Sequence, residues 1–260
     1  MKFRKCIVSA LLLALAGAYP AYGFAGCVAQ SGPNTAALVE LYTSEGCSSC
    51  PPADHQLSQL RQTLDPTAVV VPLSLHVDYW DYIGWNDPYA QGEFAKRQSW
   101  LVSTNRHSVV YTPHFFVSGA EMSTGSGSLP DEVRRLNAKP AGASIRIEAI
   151  PAPNDLLTLT ADATARNSGD RAAMYLAVAE NGLSSKVTRG ENGGVTLTHD
   201  HVVRVWIGPF PLTGGEVQVR REIALPTSWN RAQLEVIGFV EDRISGSVLQ
   251  AVGAKQCFRS

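Results

Sequence analysis

The 260-residue sequence contains little charge and no excess of positive charge. Only 17 % of its residues are Asp, Glu, Lys or Arg, and the formal net charge is −1. A nucleic-acid partner requires clustered basic residues that neutralise phosphates, so the composition excludes this class of partner. The one long apolar run begins at Cys6 and ends near Tyr19, which is too short to span a bilayer. We therefore expect no transmembrane segment once this stretch is removed.

The N-terminal stretch has the pattern of an export signal. A basic head that includes Lys5 precedes an Ala/Leu-rich middle, and small residues stand at Gly23 and Ala25. This pattern predicts a signal peptide over residues 1–25 and a periplasmic or secreted protein. An alternative is a lipoprotein signal, in which Cys27 becomes an acylated first residue and anchors the chain.

Cysteine is scarce as well, with five residues in the chain. Removal of the leader takes away Cys6 and leaves four, of which Cys47 and Cys50 form a C-x-x-C motif. The remaining Cys27 and Cys257 are predicted to pair as a structural disulfide that joins the chain ends. In the lipoprotein alternative Cys257 stays free. A zinc ribbon would need a second Cys pair of the same spacing, and the sequence has none.

Two further absences narrow the chemistry. The sequence has no Gly-x-Ser-x-Gly motif, so a hydrolase triad has no local support. It also lacks a Gly-rich phosphate-binding loop. Apolar residues make up 45 % of the chain, which is enough to build a large core and is not typical of disorder.

The pattern of apolar residues changes near residue 140. Up to that point buried runs alternate with helical periodicity, and after it short alternating strands with Gly, Pro and Asn turns take over. We therefore predict two domains, an α/β domain over residues 26–140 and an all-β antiparallel sandwich over residues 141–260. The predicted strands are 37–42, 68–77, 114–117, 145–150, 156–163, 174–179, 202–207, 217–223, 234–240 and 248–252, and the predicted helices are 52–64, 90–104 and 129–137.

The C-x-x-C motif lies between a predicted strand and a predicted helix. A sulfur at a helix N-terminus is favoured as thiolate by the backbone amides and the helix dipole. Cys47 is thus predicted to be the nucleophile and the more exposed and more acidic thiol of the pair. Cys50 would then resolve the mixed disulfide. The alternative is an inert structural disulfide.

Three segments together resemble a known family. Residues 39–54 (VELYTSEGCSSCPPAD), 76–85 (HVDYWDYIGW) and 111–113 (YTP) are similar to a domain-of-unknown-function family of secreted bacterial proteins with a thioredoxin-like fold. Residues 189–199 (RGENGGVTLTH) resemble the second half of that family. The resemblance implies an α/β thioredoxin-like fold for residues 26–140.

The thioredoxin resemblance assigns roles to individual residues. Cys47 and Cys50 match the redox dithiol, and Thr112 and Pro113 match a cis-proline turn that faces it and aligns a substrate backbone as an added strand. The Ser-Ser pair between the cysteines differs from the pairs of thioredoxins, so no redox bias follows. The implied function is exported thiol–disulfide exchange on a protein or small-molecule thiol or disulfide, with no cofactor.

Other polar residues extend these predictions. His76 follows a buried strand and is a candidate proton acceptor or Cu(I) ligand with the two thiolates, which is the copper-binding or copper-delivery alternative. Asp54 is a second candidate proton acceptor on the helix face of Cys47. His199 and His201 form an H-x-H pair, which is a weak metal pattern without a third ligand. The aromatic residues from Tyr79 to Tyr89 either bind an extended peptide or pack in the core of a long loop. A non-catalytic binding protein with a structural disulfide is the remaining alternative.

Overall fold

The computed structural model describes residues 26–122, 128–165, 169–255 and 257. The described strands are β1 (Cys27–Gln30), β2 (Ala37–Thr43), β3 (Val70–His76), β4 (His114–Val117), β5 (Ala120–Glu121), β6 (Ser144–Ala152), β7 (Leu156–Thr164), β8 (Ala172–Glu180), β9 (Leu183–Lys186), β10 (Thr196–His199), β11 (Val202–Pro211), β12 (Glu216–Ala224), β13 (Leu234–Asp242) and β14 (Val248–Lys255). The described α-helices are α1 (Pro51–Thr63), α2 (Gly92–Thr104) and α3 (Leu129–Asn137). The predicted signal peptide, residues 1–25, lies outside the described residues.

The helices begin where the local sequence favours it. Two prolines occupy the first positions of α1, where a missing amide donor costs nothing. Ser128 caps α3, because its side chain accepts a hydrogen bond from the Asp131 amide. Within the described part of the chain, no helix combines the length and the apolar character needed to cross a membrane.

One mixed sheet of eight strands forms the centre of the molecule, in the order β14-β13-β8-β11-β3-β2-β4-β5. Strand β3 pairs in parallel with β2 on one side and with β11 on the other, where Val202 lies opposite Ser74. The remaining pairs in this sheet are antiparallel. Strands from both ends of the chain therefore share one hydrogen-bonded sheet.

This sheet shows that the predicted fold class is wrong. The chain is not an α/β thioredoxin-like domain followed by an all-β antiparallel sandwich, because β8, β11, β13 and β14 continue the sheet that β2 to β5 begin. The alternation after residue 140 identified seven of the nine strands described there and missed β9 and β10. Alternation also does not reveal which strand each one pairs with. The division at residues 140 and 141 stays a prediction, although strands from both sides of it pair.

Two layers cover the faces of the central sheet. On one face, a four-stranded antiparallel sheet (β1-β6-β7-β12) packs against β8, β13 and β14, and α1 and α3 pack against β2. On the other face, α2 places Phe94 and Leu101 against Leu38, Leu73 and Phe239. The buried residues thus form three clusters, one between the two sheets, one under α2 and one under α1 and α3. The C-x-x-C motif follows the end of β2.

The predicted disulfide between the chain ends is confirmed. Cys27 begins β1 and Cys257 follows β14, and the two are joined with their Cα atoms 4.6 Å apart. Cys257 is fully buried in the core between the two sheets. The pairing closes a loop over a sequence separation of 230 residues.

Candidate functional site

The C-x-x-C motif lies in a tight turn between β2 and α1. The Cys47 amide donates to the Ser44 carbonyl at 3.1 Å, and the Gly46 amide donates to Ser44 Oγ at the same distance. Cys47 and Cys50 form a disulfide with a Cα separation of 5.4 Å. Their exposed fractions are only 1 % and 0 %. The greater exposure predicted for Cys47 is therefore not found, because both cysteines are buried.

A loop from the second half of the chain covers the dithiol. The loop connects β9 to β10, and its Asn192 side chain donates to the carbonyl oxygens of Glu45 at 2.9 Å and Cys47 at 3.0 Å. Its Glu191 carboxylate accepts from both the amide and the hydroxyl of Ser48. These residues were not singled out from the sequence. The only sequence signal for them was the family resemblance of residues 189–199.

His76, at the end of β3, is fully buried and paired with Asp87. The His76 Nδ1 atom lies 2.7 Å from Asp87 Oδ2, which also accepts from the Glu45 amide. Burial lowers the pKa of His76, but the adjacent Asp87 outweighs this effect and the net pKa lies above its ordinary value. Burial raises the pKa of Asp87, but His76 outweighs this effect and the net pKa lies below its ordinary value. The two residues therefore form a buried ion pair.

Asp54 lies on α1, one turn after Cys50, and is 7 % exposed. Its amide donates to the Cys50 carbonyl at 3.1 Å. Burial raises the pKa of the Asp54 carboxyl above its ordinary value, and the opposing influence of His76 and His199 is insufficient to cancel this rise. A buried carboxyl with a raised pKa next to a dithiol is suited to accept and release a proton.

His199, the last residue of β10, faces the same buried space. Its Nε2 atom lies 3.0 Å from Glu45 Oε1, while Nδ1 lies 3.8 Å from Asp54 Oδ2, too far for a hydrogen bond. Trp85 Nε1 donates to the other Glu45 oxygen at 2.8 Å. His199 was predicted as half of an H-x-H pair, but His201 instead faces Glu235. Among the described residues no group of three or more His, Cys, Asp and Glu could hold a metal ion.

Several buried atoms in this space have no hydrogen-bond partner among the described residues. They are Thr43 Oγ1, Asp54 Oδ1, His76 Nε2 and His199 Nδ1. A groove of about 420 Å³ between α1 and β10 is lined by Asp54 and His199 and leads to the surface. Buried polar atoms are normally paired, so this concentration marks the space as unusual within the fold.

The Thr112–Pro113 peptide bond is cis, which confirms the prediction. Tyr42 pairs with His114 in the antiparallel β2–β4 ladder. The next position along the two strands therefore brings Pro113 opposite Thr43. Trp80 connects this turn to the dithiol loop. Its Nε1 atom donates to Thr112 Oγ1 at 2.7 Å, and its Cβ lies 3.2 Å from where a Cβ on Gly46 would be.

The predicted aromatic stretch divides into two parts. Tyr89 is buried and makes edge contacts with the rings of His76 and His199, with centroids 5.4 and 5.8 Å away. Tyr82, in a 3₁₀ turn, is 83 % exposed. Trp80, Trp85 and Tyr89 therefore contact the site around the C-x-x-C turn, whereas Tyr79 and Tyr82 are exposed to solvent.

A match to a protein-family model shows which family the chain belongs to. One family model, described as "Protein of unknown function (DUF1223)", matches residues 38–241. The chain belongs to this family. The match includes every residue of the dithiol site and extends through the covering loop to β13, so the DUF1223 region contains both halves of the site.

Two solved structures resemble this DUF1223 chain. HBP35 of Porphyromonas gingivalis superposes with a TM-score of 0.65 at 17 % identity, covering 86 % of this chain and 76 % of that one. Protein AGR_C_4864 from Agrobacterium tumefaciens superposes with a TM-score of 0.57 at 23 % identity, covering 88 % and 98 % of the two chains. At these identities the likeness shows the fold alone. None of the curated proteins matches the chain significantly.

Proposed function

We propose that this DUF1223 protein is an exported thiol–disulfide oxidoreductase of the periplasm or the extracellular space. The observation that carries the proposal is the Cys47–Cys50 disulfide, placed at the start of α1 beside a buried set of protonatable groups with unpartnered atoms. A second disulfide between Cys27 and Cys257 is consistent with an oxidising compartment.

The reaction has two steps in the direction that reduces a substrate disulfide. The Cys47 thiolate attacks one substrate sulfur, which forms a mixed disulfide and releases the other substrate sulfur as a thiolate. Cys50 then loses its proton and attacks Cys47 Sγ, which releases the second substrate thiolate and closes the Cys47–Cys50 disulfide. Two electrons pass from the protein dithiol to the substrate, and the reverse sequence oxidises a dithiol substrate.

Asp54 is the proposed proton acceptor for Cys50. It lies one turn further along the chain, and its raised pKa makes the ionised carboxyl a stronger proton acceptor than an ordinary aspartate. The groove between α1 and β10 gives the proton a route to solvent, since Asp54 lines it. His76 is held by Asp87 and supports Asp54 electrostatically, so we assign it a positioning role.

Thr112 and Pro113 are proposed to align the substrate next to the dithiol. Trp80 holds Thr112 by a hydrogen bond and lies against Gly46, so the two turns are fixed relative to each other. A protein or small-molecule thiol or disulfide is the proposed substrate, and the proposed reaction requires no cofactor.

An inert structural disulfide is the second candidate function of the pair. The observation that favours it is the burial of both cysteines, since a nucleophile must reach its substrate. Exchange therefore requires that the loop over Cys47 opens, or that reduction itself exposes the sulfur. The two candidates make opposite predictions in a redox titration.

The experiment is a titration of the folded protein with glutathione buffers, combined with serine variants. Exchange predicts a defined reduction potential for the pair, loss of activity in Cys47→Ser, and trapped mixed disulfides in Cys50→Ser when a peptide disulfide is offered. The Cys27→Ser/Cys257→Ser variant serves as the matched control and should retain exchange. A Cys47–Cys50 bond that resists reduction while the fold is intact would refute the proposal and support the structural disulfide.

A further inference from the structure

The covering loop places a carboxylate next to the nucleophile. The Glu191 Oε2 atom accepts from the Ser48 amide at 2.9 Å and from Ser48 Oγ at 2.7 Å. These two bonds lower the pKa of the Glu191 carboxyl below its ordinary value, so the group is ionised at neutral pH. We propose that Glu191 controls the acidity of Cys47 and makes the dithiol a stronger reductant, an inference that rests on the proposed function.

The Ser48 amide belongs to the residue directly after Cys47. In a reactive cysteine at the start of a helix, such amides are the groups that stabilise the thiolate. Here the Glu191 carboxylate takes this donor. Glu191 therefore opposes the thiolate in two ways, because it occupies an amide that would otherwise be available and because it adds a negative charge one residue away.

The position of Glu191 is fixed by the loop that carries it. Asn192 binds two carbonyl oxygens of the dithiol turn, and the Gly194 amide donates to the Val187 carbonyl at 2.9 Å. Gly190 has a φ of +74°, and a Cβ there would lie 2.9 Å from Ile83 Cδ1. The Ile83 side chain could move away, but a positive φ is strained for any residue with a side chain, so the course of the loop depends on glycine. These hydrogen bonds and the Gly190 backbone conformation hold the Glu191 carboxylate over Ser48.

The charge of Glu191 should lower the reduction potential of the Cys47–Cys50 pair, because reduction produces a thiolate. Reduction of the disulfide produces a Cys47 thiolate, and a neighbouring carboxylate disfavours that form relative to the disulfide. A destabilised thiolate lowers the reduction potential, so the reduced protein gives up its electrons more readily. The other ionisable groups around the dithiol are Glu45, Asp54, His76, Asp87 and His199, which are buried and face one another. A change at Glu191 leaves them in place.

The test compares Glu191→Gln with the wild-type chain and with Glu222→Gln, a control at an exposed position on β12. Glutamine keeps an oxygen that accepts from Ser48 and removes only the charge. The pKa of Cys47 is measured by pulsed alkylation across pH in the reduced protein, and the reduction potential is measured in glutathione buffers.

We expect alkylation of Cys47 in Glu191→Gln to be about three- to tenfold faster at pH 6 than in the wild type, together with a higher reduction potential. High salt should reduce the difference, since Glu191 is exposed. Equal values in Glu191→Gln and Glu222→Gln, with exchange intact, would overturn this inference alone. A disulfide that resists reduction in all three proteins would refute the proposed function and the inference together.

Discussion

Two buried clusters of ionisable side chains connect the early and late parts of the chain, and they differ in how completely they are paired. In the first, Arg97 donates to Glu40 at 2.7 Å and to Glu241 at 2.9 Å, and its guanidinium lies 5.0 Å from the Trp206 ring centroid. In the second, around Asp54 and His199, several polar atoms have no partner among the described residues. Complete pairing is typical of a structural cluster, and the unpartnered atoms of the second cluster are what the proposed proton transfer would use.

The largest loss of stability is expected from replacement of Arg97, which is the cation of the fully paired cluster. Replacement by Gln leaves the carboxylates of Glu40 and Glu241 buried without their cation, so Arg97→Gln should lose about 3–5 kcal/mol of unfolding free energy. Urea unfolding measures this loss. Arg135→Gln removes a surface ion pair with Glu132 and is the control, with an expected change below about 1 kcal/mol. Equal costs for the two variants would show that the Arg97 cluster is not a structural centre.

Removal of the Cys27–Cys257 disulfide changes stability without touching either cluster. Cys27→Ser/Cys257→Ser should cost about 2–5 kcal/mol, because the unfolded chain regains the freedom of a very long loop. Stability is measured by urea unfolding and exchange by turnover of a peptide disulfide at a temperature where the variant is folded. Loss of exchange in that folded variant would mean that activity depends on the joined chain ends, and activity losses in other variants would then need reinterpretation.

Asp87 tests the paired side of the second cluster. Asp87→Asn removes the charge that holds His76, and we expect a loss of about 1.5–3 kcal/mol. The raised pKa of His76 stabilises the fold below pH 6.5 and this contribution is lost as the pH rises through the folded pKa. The lowered pKa of Asp87 stabilises the fold above pH 3.8 and this contribution is lost as the pH falls through the folded pKa.

The cost of Asp87→Asn should therefore be greatest between about pH 4 and 6.5. Unfolding curves across pH measure it, and an NMR titration of the His76 ring should show a lower pKa in the variant. The double variant His76→Asn/Asp87→Asn should cost less than the two single changes combined. Additive costs would show that the two residues do not interact.

Replacement of Asp54 tests the unpartnered part of the second cluster. We expect the smallest change in the free energy of unfolding here, and the change should be a gain instead of a loss. Its pKa is raised by burial, so the ionised carboxyl destabilises the fold as the pH rises above 3.8. Asp54→Asn should therefore be more stable than the wild type at pH 7. It should also slow the attack of Cys50 on a mixed disulfide by on the order of a hundredfold.

Stopped-flow measurement of mixed-disulfide resolution and urea unfolding check both parts of this prediction. Asp170→Asn, at an exposed residue, is the matched control and should change neither quantity. A more stable Asp54→Asn protein with an unchanged resolution rate would remove Asp54 from the reaction and leave it as a buried residue of the fold.

Local features were predictable from the sequence, whereas the assembly of the sheet was not. The bounds of β4 and α3 agree with the periodicity, and the Cys27–Cys257 pair follows from counting cysteines. The pairing of Val202 with Ser74 could not be predicted, because alternation describes the two faces of a strand and not its neighbour.

The same limit applies to the site. Cys47, Cys50 and Asp54 lie within eight residues of one another, so the turn before α1 and the first turn of that helix bring them together. His199 contacts Glu45 across a separation of 154 residues, and Ser48 contacts Glu191 across 143. Such contacts depend on how β9 and β10 are brought over the first half of the sheet. No local pattern contains that information.

The separations of the cysteines also favour an order in which the two disulfides form when the reduced chain is oxidised. The four cysteines of the described residues allow three pairings, and Cys27 and Cys257 are separated by 230 residues. Cys47 and Cys50, three residues apart, meet sooner because the loop between them is short. Once this pair has closed, Cys27 and Cys257 have only each other as partners. We therefore expect the short disulfide to limit mispairing of the long one, whatever the substrate.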